Sequence, residues 1–496
     1  MSFLPRFSKL LALALGVCIA PAAFAAPQPI GGATAGAALD PACSPPAAST
    51  NSASVQQINY LAPSCEGPAL CEQPICDQSC CDPSCCNQFT CDPSCDCQGN
   101  LSCDCPCSGQ ALCQCARCQA QAASLDPYCR ILPQDGPFRV RGWLDAGILG
   151  NTSSPASHFN GPYNSQQVDN GQFNQAYFIL DRSLKSEGLS IGGRFDLLYG
   201  ADYFVAQSAG LEATRAGGKR WNSSQYYGLA LPQSYVEVGN TNLSVKGGHF
   251  YSIVGYEGVQ AANNFFYSHA YSYQFAGPFT HWGGLGTWKL RDNWQIQAGL
   301  VNGWNTLDST VNHANFMGGL KYTSDNQKWW SSFAIITGDQ QNNPANLGTV
   351  TNGYANRTRY SFIVSRQLGS RAEYVFHQWL GSQAGGEPSG GTAMWYGIDQ
   401  YLYYRMNDCW RLGTRVEWFR DEDGTRVGLT EPSNPNKAPL PGSYASWTIG
   451  ANWTPRQNVM LRPELRWDSY SGTARPYDDG KKTYQLLLGL DAIVNF

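Results

Sequence analysis

Two sets of residues have types and spacings that could do chemistry. The first is cysteine. Of the 20 cysteines in the 496-residue chain, sixteen lie between Cys65 and Cys118; Cys43 and Cys129 flank them, Cys18 stands near the start, and Cys409 is alone afterwards. A short unit repeats here, Cys81-Asp82-Pro83-Ser84-Cys85 and Cys91-Asp92-Pro93-Ser94-Cys95, with Cys76-Asp77-Gln78-Ser79-Cys80 as a looser copy. Asp-Pro-Ser is turn chemistry. Such thiols either pair as disulfides or share a soft metal, and the Cys-x-Cys pairs Cys95/Cys97, Cys103/Cys105/Cys107 and Cys113/Cys115 suit the metal. The stretch has no histidine and lacks the separated Cys-x-x-Cys units of a zinc ribbon. Disulfides are therefore the favoured reading, with Cys65, Cys71, Cys76, Cys80, Cys81, Cys85, Cys86, Cys91 and Cys95 as candidates, within the segment or between copies. Connectivity does not follow from spacing.

The second set is an alternation of charge with apolar residues. Trp410, Leu412, Thr414, Val416 and Trp418 alternate with Arg411, Arg415 and Glu417, and Leu461, Leu465 and Trp467 with Arg462, Glu464 and Arg466. The same parity selects Arg139, Arg141, Asp145, Arg194, Asp196, Lys246, Lys289, Asp399, Arg405 and Asp491. Side chains two apart share a face of a strand, so these charges line one side of a sheet whose other side is apolar. Such a ladder needs water or partners to solvate it. Arginine exceeds acid in it, which favours anions or a transverse field; mutual pairing along the wall is an equal alternative.

Catalytic patterns are missing. There is no G-x-S-x-G, H-E-x-x-H, P-loop or C-x-x-C-H, and the six histidines are scattered. No enzyme activity and no cofactor are expected. A hydrolase with a Ser-His pair on a barrel's outer wall is a minor alternative, because such sites are recognised by geometry.

The elements that must position the charge ladder are long strands. Only 14% of residues are charged against 12% aromatic, and mean hydropathy is −0.33. No apolar run beyond residue 25 reaches the roughly 18 residues a membrane helix needs. A net charge of −4 offers no basic surface, so no nucleic-acid partner is expected. At the chain end Tyr484, Leu486, Leu488, Leu490, Ala492, Val494 and Phe496 share one face, opposite Gln485, Gly489, Asp491 and Asn495. That length of alternation suits a strand crossing a bilayer at a tilt.

Sixteen such segments are predicted: 138–149, 173–182, 188–200, 226–239, 242–254, 279–290, 294–304, 315–323, 329–338, 357–368, 371–380, 393–406, 410–420, 444–454, 459–469 and 484–496. Connections alternate short (Lys185–Glu187, Asn240-Thr241, Gly369-Ser370, Asn407–Cys409) and long (150–172, 201–225, 255–278, 339–356, 421–443), as in bacterial barrels with periplasmic turns and extracellular loops. Trp143, Trp288, Trp294, Trp304, Trp329, Trp330, Trp395, Trp410, Trp447, Trp453 and Trp467 suit interfacial girdles. The expected fold is all-β, a transmembrane antiparallel barrel of about 16 strands over residues 138–496. From Phe138 the chain carries 29 Lys plus Arg and 27 Asp plus Glu, so neither sign dominates.

The third long connection is crowded with rings: Phe265, Phe266, Tyr267, His269, Tyr271, Tyr273 and Phe275. Water-exposed loops rarely carry so many, so this one is expected to fold inward or pack on the rim and narrow the channel, with Phe265, Phe266, Tyr267, His269 and Tyr271 as constriction residues.

Ahead of the barrel, residues 1–25 have a basic start, an apolar stretch and Ala23-Phe24-Ala25, the pattern of a cleaved secretory signal. Residues 26–64 read as an Ala/Pro/Ser-rich linker and 65–130 as a Cys-rich, loop-like periplasmic segment.

Gly142-Trp143-Leu144-Asp145-Ala146-Gly147, Phe159-Asn160-Gly161-Pro162, Tyr226 to Gln233, Lys246 to Tyr251, Gly255-Tyr256-Glu257, Phe265 to His269 and Gly277 to Gly283 together resemble the OmpL-like outer-membrane β-barrel porin family, in the style of planctomycete proteins. The resemblance covers 138–496 and implies a passive outer-membrane channel. The terminal Phe496 resembles the closing aromatic of bacterial barrels, which acts as an assembly signal. The partners expected are outer-membrane lipid and the barrel-assembly machinery, with a homotrimer by analogy to sixteen-stranded porins. The Cys-rich segment adds disulfide-linked envelope partners. An alternative function is structural, the barrel anchoring a cross-linked periplasmic arm.

Overall fold

The computed structural model describes residues 137–496 except 163–168, 215–219, 223–225, 308–312, 342–353, 388, 432–433 and 457. The signal (1–25), the linker (26–64) and the Cys-rich segment (65–130), with every disulfide candidate, lie outside the described residues.

Where the sequence alternates, the chain extends. The barrel strands are β1 (Arg139–Asn151), β2 (Gly171–Arg182), β3 (Ser190–Gly200), β4 (Gly228–Gly239), β5 (Leu243–Tyr251), β6 (Thr280–Arg291), β7 (Trp294–Val301) and β8 (Asn315–Thr323). They continue with β9 (Trp329–Gln341), β10 (Tyr354–Leu368), β11 (Ala372–Gln383), β12 (Ala393–Arg405), β13 (Trp410–Asp421), β16 (Gly442–Arg456), β17 (Val459–Gly472) and β18 (Tyr484–Asn495). Each pairs antiparallel with its neighbours, and β1 pairs with β18 to close a 16-stranded barrel. Two further strands, β14 (Gly428–Glu431) and β15 (Asn434–Pro439), form a separate hairpin in the connection after β13. Turn-rich Pro and Asn content hid this hairpin from the strand reading.

The seam runs in register from Trp143↔Asn495 to Asn151↔Leu487. Beyond it, Gly142 and Phe496 exchange two backbone hydrogen bonds of 2.9 Å. A Cβ at Gly142 would sit 2.6 Å from the Phe496 ring, so the seam admits only glycine there without a shift.

Parity decides which face meets which solvent. On β18, Leu488, Leu490 and Val494 are exposed, whereas Leu487, Asp491 and Ile493 are buried. Val236, Val245, Leu300, Phe316, Leu412, Val416, Ile449 and Leu465 continue the exposed apolar belt around the outer wall. At about 25 cal/mol per Å², such a belt is costly in water and favourable in lipid. Among the described residues no helix is long and apolar enough to cross a membrane.

At the short-turn end the rings form a girdle. Trp410 stacks on Trp453 at 5.6 Å, and Tyr322 lies between Trp294 (4.8 Å) and Trp329 (4.9 Å). Trp143, Trp304 and Trp395, read above as girdle residues, are buried. Trp143 stacks on Tyr177 at 4.3 Å, and the Trp395 indole donates to the Ala276 carbonyl at 2.9 Å. Proximity to a strand end does not fix which face a ring takes; parity does.

Candidate functional site

The connection between β5 and β6, residues 252–279 (L3), runs inside the barrel and is buried almost throughout. It contains a 3-10 turn at Ala261–Asn263 and one short helix, α2 (Tyr271–Phe275), following α1 (Tyr203–Ala206) in the second long loop. A buried loop with so little regular structure leaves many backbone N–H and C=O groups without partners, which is costly. The barrel wall supplies those partners.

Guanidinium groups take the carbonyls. Arg462 on β17 donates through Nη1 to the carbonyls of Ala261 (2.9 Å), Asn264 (2.7 Å) and Phe266 (3.2 Å). Arg466 donates to the His269 carbonyl and Arg415 to that of Ser268, each at 2.7 Å. Carboxylates take the N–H groups. Glu464 accepts from Tyr267 (2.9 Å) and Ser268 (3.1 Å), and Glu417 accepts from Tyr271 (2.6 Å). Asp399 accepts the Ser272 hydroxyl at 2.6 Å, and on β2 the Gln175 side chain donates to the Val259 carbonyl (2.6 Å) while accepting from the Ala261 N–H (3.1 Å).

The same wall groups also pair with one another. Arg462 bonds Asp491, with Nε 2.9 Å from Oδ1, and Arg466 bridges Glu417 (3.2 Å) and Asp468 (2.7 Å). Arg415 reaches Glu257 of L3 at 2.8 Å. Burial alone would raise the Glu257 carboxyl; the Arg415 charge, with His269 and the Ala270 N–H as donors, outweighs it and holds the group below the usual carboxylate range.

The rings need room, which inward glycines provide. A Cβ at Gly413 would lie 2.4 Å from Phe265, one at Gly147 2.9 Å from Tyr267, and one at Gly450 3.3 Å from Phe266. Phe265 then packs on Phe266 and Tyr403, both at 4.8 Å, and His269 stacks on Tyr273 at 3.9 Å. The five ring residues singled out from sequence, Phe265, Phe266, Tyr267, His269 and Tyr271, are all buried between L3 and the wall.

The charged positions singled out by parity separate into groups. Asp399, Arg415, Glu417, Arg462, Glu464, Arg466 and Asp491 meet at L3. Asp145 is buried and accepts from Asn174 at 3.2 Å. Arg194 pairs with Asp196 at 2.7 Å, and the Lys246 ammonium lies 4.7 Å from the Phe250 ring centre. Toward the short-turn end Arg139 and Arg141 share Asp181 (2.7 and 3.4 Å), Arg405 donates to the Ser370 carbonyl (3.3 Å), Arg411 lies over Phe265 at 5.9 Å, and Lys289 is half-buried.

Parity reasoning passed over Arg357 and Arg359, which fall inward on β10, and the glycine seats for L3. The alternation from Arg357 to Ser365 carries the first signal; small residues at inward positions carry the second. A Ser-His contact does occur, Ser208 Oγ to His249 Nε2 at 3.0 Å. The other His249 nitrogen meets the Leu231 carbonyl at 2.7 Å and not a carboxylate, and both side chains are fully buried. The pair closes a gap where β4 leaves β5, with Glu212 accepting the Leu231 N–H at 2.8 Å.

Comparison with solved structures finds outer-membrane barrels. The outer membrane channel DcaP of Acinetobacter baumannii is 11% identical over 72% of this chain and 97% of its own, with a TM-score of 0.47. OmpT of Vibrio cholerae is 9% identical over 74% and 100%, with a TM-score of 0.44. An anion-selective porin from Comamonas acidovorans is 9% identical over 72% and 99%, with a TM-score of 0.45. No curated protein matches the chain. The profile of the family described as "Putative beta-barrel porin-2, OmpL-like" matches residues 137–496. That span is the whole closed barrel with its inward loop, and the chain belongs to this family of outer-membrane β-barrel porins.

Proposed function

We propose that the protein is a passive diffusion channel for small hydrophilic solutes, with the width of its passage set by L3. The observation that carries this reading is the docking of L3. Arg415, Arg462, Arg466, Glu417 and Glu464 hold its backbone across the barrel interior, fixing an obstruction at mid-height. The arginines of the ladder therefore act chiefly as anchors for the loop. What solutes meet in this reading is the wall outside the dock, Arg139, Arg141, Lys289, Arg405 and Arg411 among its groups.

In this reading the short turns face the periplasm and the long loops the exterior, as bacterial barrels are built, so the cysteine segment joins the barrel on the periplasmic side. Phe496 serves barrel assembly, and trimeric association is the working expectation. Conductance of the purified full chain in planar bilayers, with swelling of liposomes in small sugars, tests the function. Stable steps and sugar-dependent swelling support it. A silent, sugar-tight barrel supports the structural alternative, in which the barrel anchors a cross-linked envelope arm.

A further inference from the structure

Most buried charges in the barrel have a partner of opposite sign or a row of L3 backbone groups. Three arginines at the long-loop side of L3 do not. Among the described residues no carboxylate comes within 4.0 Å of Arg357, Arg359 or Arg426. Arg357 and Arg359 are 3% exposed, and Arg426, in the loop after β13, is half-buried. They are close enough for the Arg426 charge to repel both of the others. Two acids act on the cluster from beyond contact distance, Asp399 attracting Arg359 and Asp421 attracting Arg426, and both also hold other groups. Asp421 accepts three backbone N–H groups, from Thr425, Arg426 and Val427, and Asp399 holds His377 and Ser272.

Two indoles organise the cluster. The Arg357 guanidinium lies 5.1 Å from the Trp304 ring, and that of Arg426 lies 5.4 Å from Trp304 and 5.2 Å from Trp395. One hydrogen bond fixes each arginine: Arg357 Nε to Gln383 (2.7 Å), Arg426 Nε to the Phe275 carbonyl (2.7 Å) and Arg359 Nη1 to the Val254 carbonyl (3.3 Å). Among the described residues the terminal nitrogens of Arg357 and Arg426 make no hydrogen bond. Independently, two buried donors nearby, Arg359 Nε and Trp304 Nε1, also have none. Gly277 is the seat of the Arg359 guanidinium, since a Cβ there would fall 1.7 Å from Arg359 Nη1.

Like charges gathered with no carboxylate in contact are costly to hold together, whereas planar guanidinium forks match the oxygens of carboxylate and phosphate. We propose that Arg357, Arg359 and Arg426, framed by Trp304 and Trp395, form a binding site for a small oxyanion above L3. The ligand chemistry is a carboxylate or phosphate group on a solute small enough to enter from the long-loop side. The site stands whether or not the barrel conducts.

Calorimetric titration of the full chain in nonionic detergent with inorganic phosphate, and separately with acetate, tests it. Saturable binding is expected, and preference for one probe names the oxyanion. Two variants, R357Q/R426Q and R426Q alone, should weaken that binding roughly tenfold or more. R426Q alters only a loop, which guards against a folding defect, and heat-modifiable gel mobility reports the barrel in each case. K185Q, in the exposed turn after β2, should bind as the wild type does. Absence of binding by both probes to the wild type, or wild-type affinity in folded R426Q and R357Q/R426Q, would overturn the proposal.

Discussion

Arg462 and Asp491 face each other across β17 and β18 as a buried ion pair, and the free edge of the same guanidinium donates to three carbonyls of L3. One side chain thus joins the barrel wall to the loop inside it. The pair is also close to Asp145 and Glu464, so the Arg462 charge is shared among three carboxylates and the loop backbone.

Replacing Arg462 by alanine leaves Asp491 buried without its cation and three carbonyls without a donor. A loss of about 3–5 kcal/mol is expected, read as a lower urea midpoint in detergent. R462M/D491L should recover only part of it, because the L3 carbonyls still lack a partner. Full recovery would show that the dock contributes nothing.

Gly413 is the seat of Phe265. Gly413→Ala places a methyl 2.4 Å from the ring and should cost about 1–3 kcal/mol, as overpacking does. Adding Phe265→Leu should return most of that loss in a double-mutant cycle. Independent, additive effects of the two substitutions would contradict the packing described.

Asp202, at the start of the second long loop, accepts the Gln175 side chain that also holds Val259. Burial raises its carboxyl to about 6, while the nearby His269 acts to lower it. A carboxyl raised above its unfolded value stabilises the fold in acid and loses that contribution as pH climbs through about 6. Asp202→Asn should therefore be more stable than wild type at pH 7, on the order of 3 kcal/mol, with the gain vanishing near pH 4. Urea midpoints across that range check it; equal profiles for both proteins would count against it.

Phe496 completes the seam through its two backbone bonds to Gly142, and its ring covers that glycine. Phe496→Ala should slow assembly while leaving the folded barrel's urea midpoint within about 1 kcal/mol, as a partly exposed ring implies. The folded fraction over time on unheated gels measures it, and wild-type kinetics would argue against a role in closure.

Much of this architecture was legible because a β-strand writes its two solvents into alternate residues. The segment read as 315–323 coincides with β8, and 484–496 differs from β18 by one residue. Parity also put Arg415, Arg462 and Arg466 inside. It could not show what they face, since their partners are backbone atoms of a loop some 150 to 200 residues earlier and carbonyls leave no trace in side-chain patterns. Trp143 and Trp395 were misplaced for the converse reason: aromatic content signals an interface or an interior equally. Arg357 and Arg359 were within reach of the same alternation, and what sets them apart, the lack of any carboxylate within 4.0 Å among the described residues, is a three-dimensional fact.

The central claim is that L3, docked on the arginine and glutamate ladder, sets the width of the passage. Its most direct test is single-channel conductance of the chain lacking Asn263 to Tyr273 against the full chain in planar bilayers. Larger unitary steps in the deletion protein are predicted. Unchanged steps from a correctly folded deletion barrel would contradict the account.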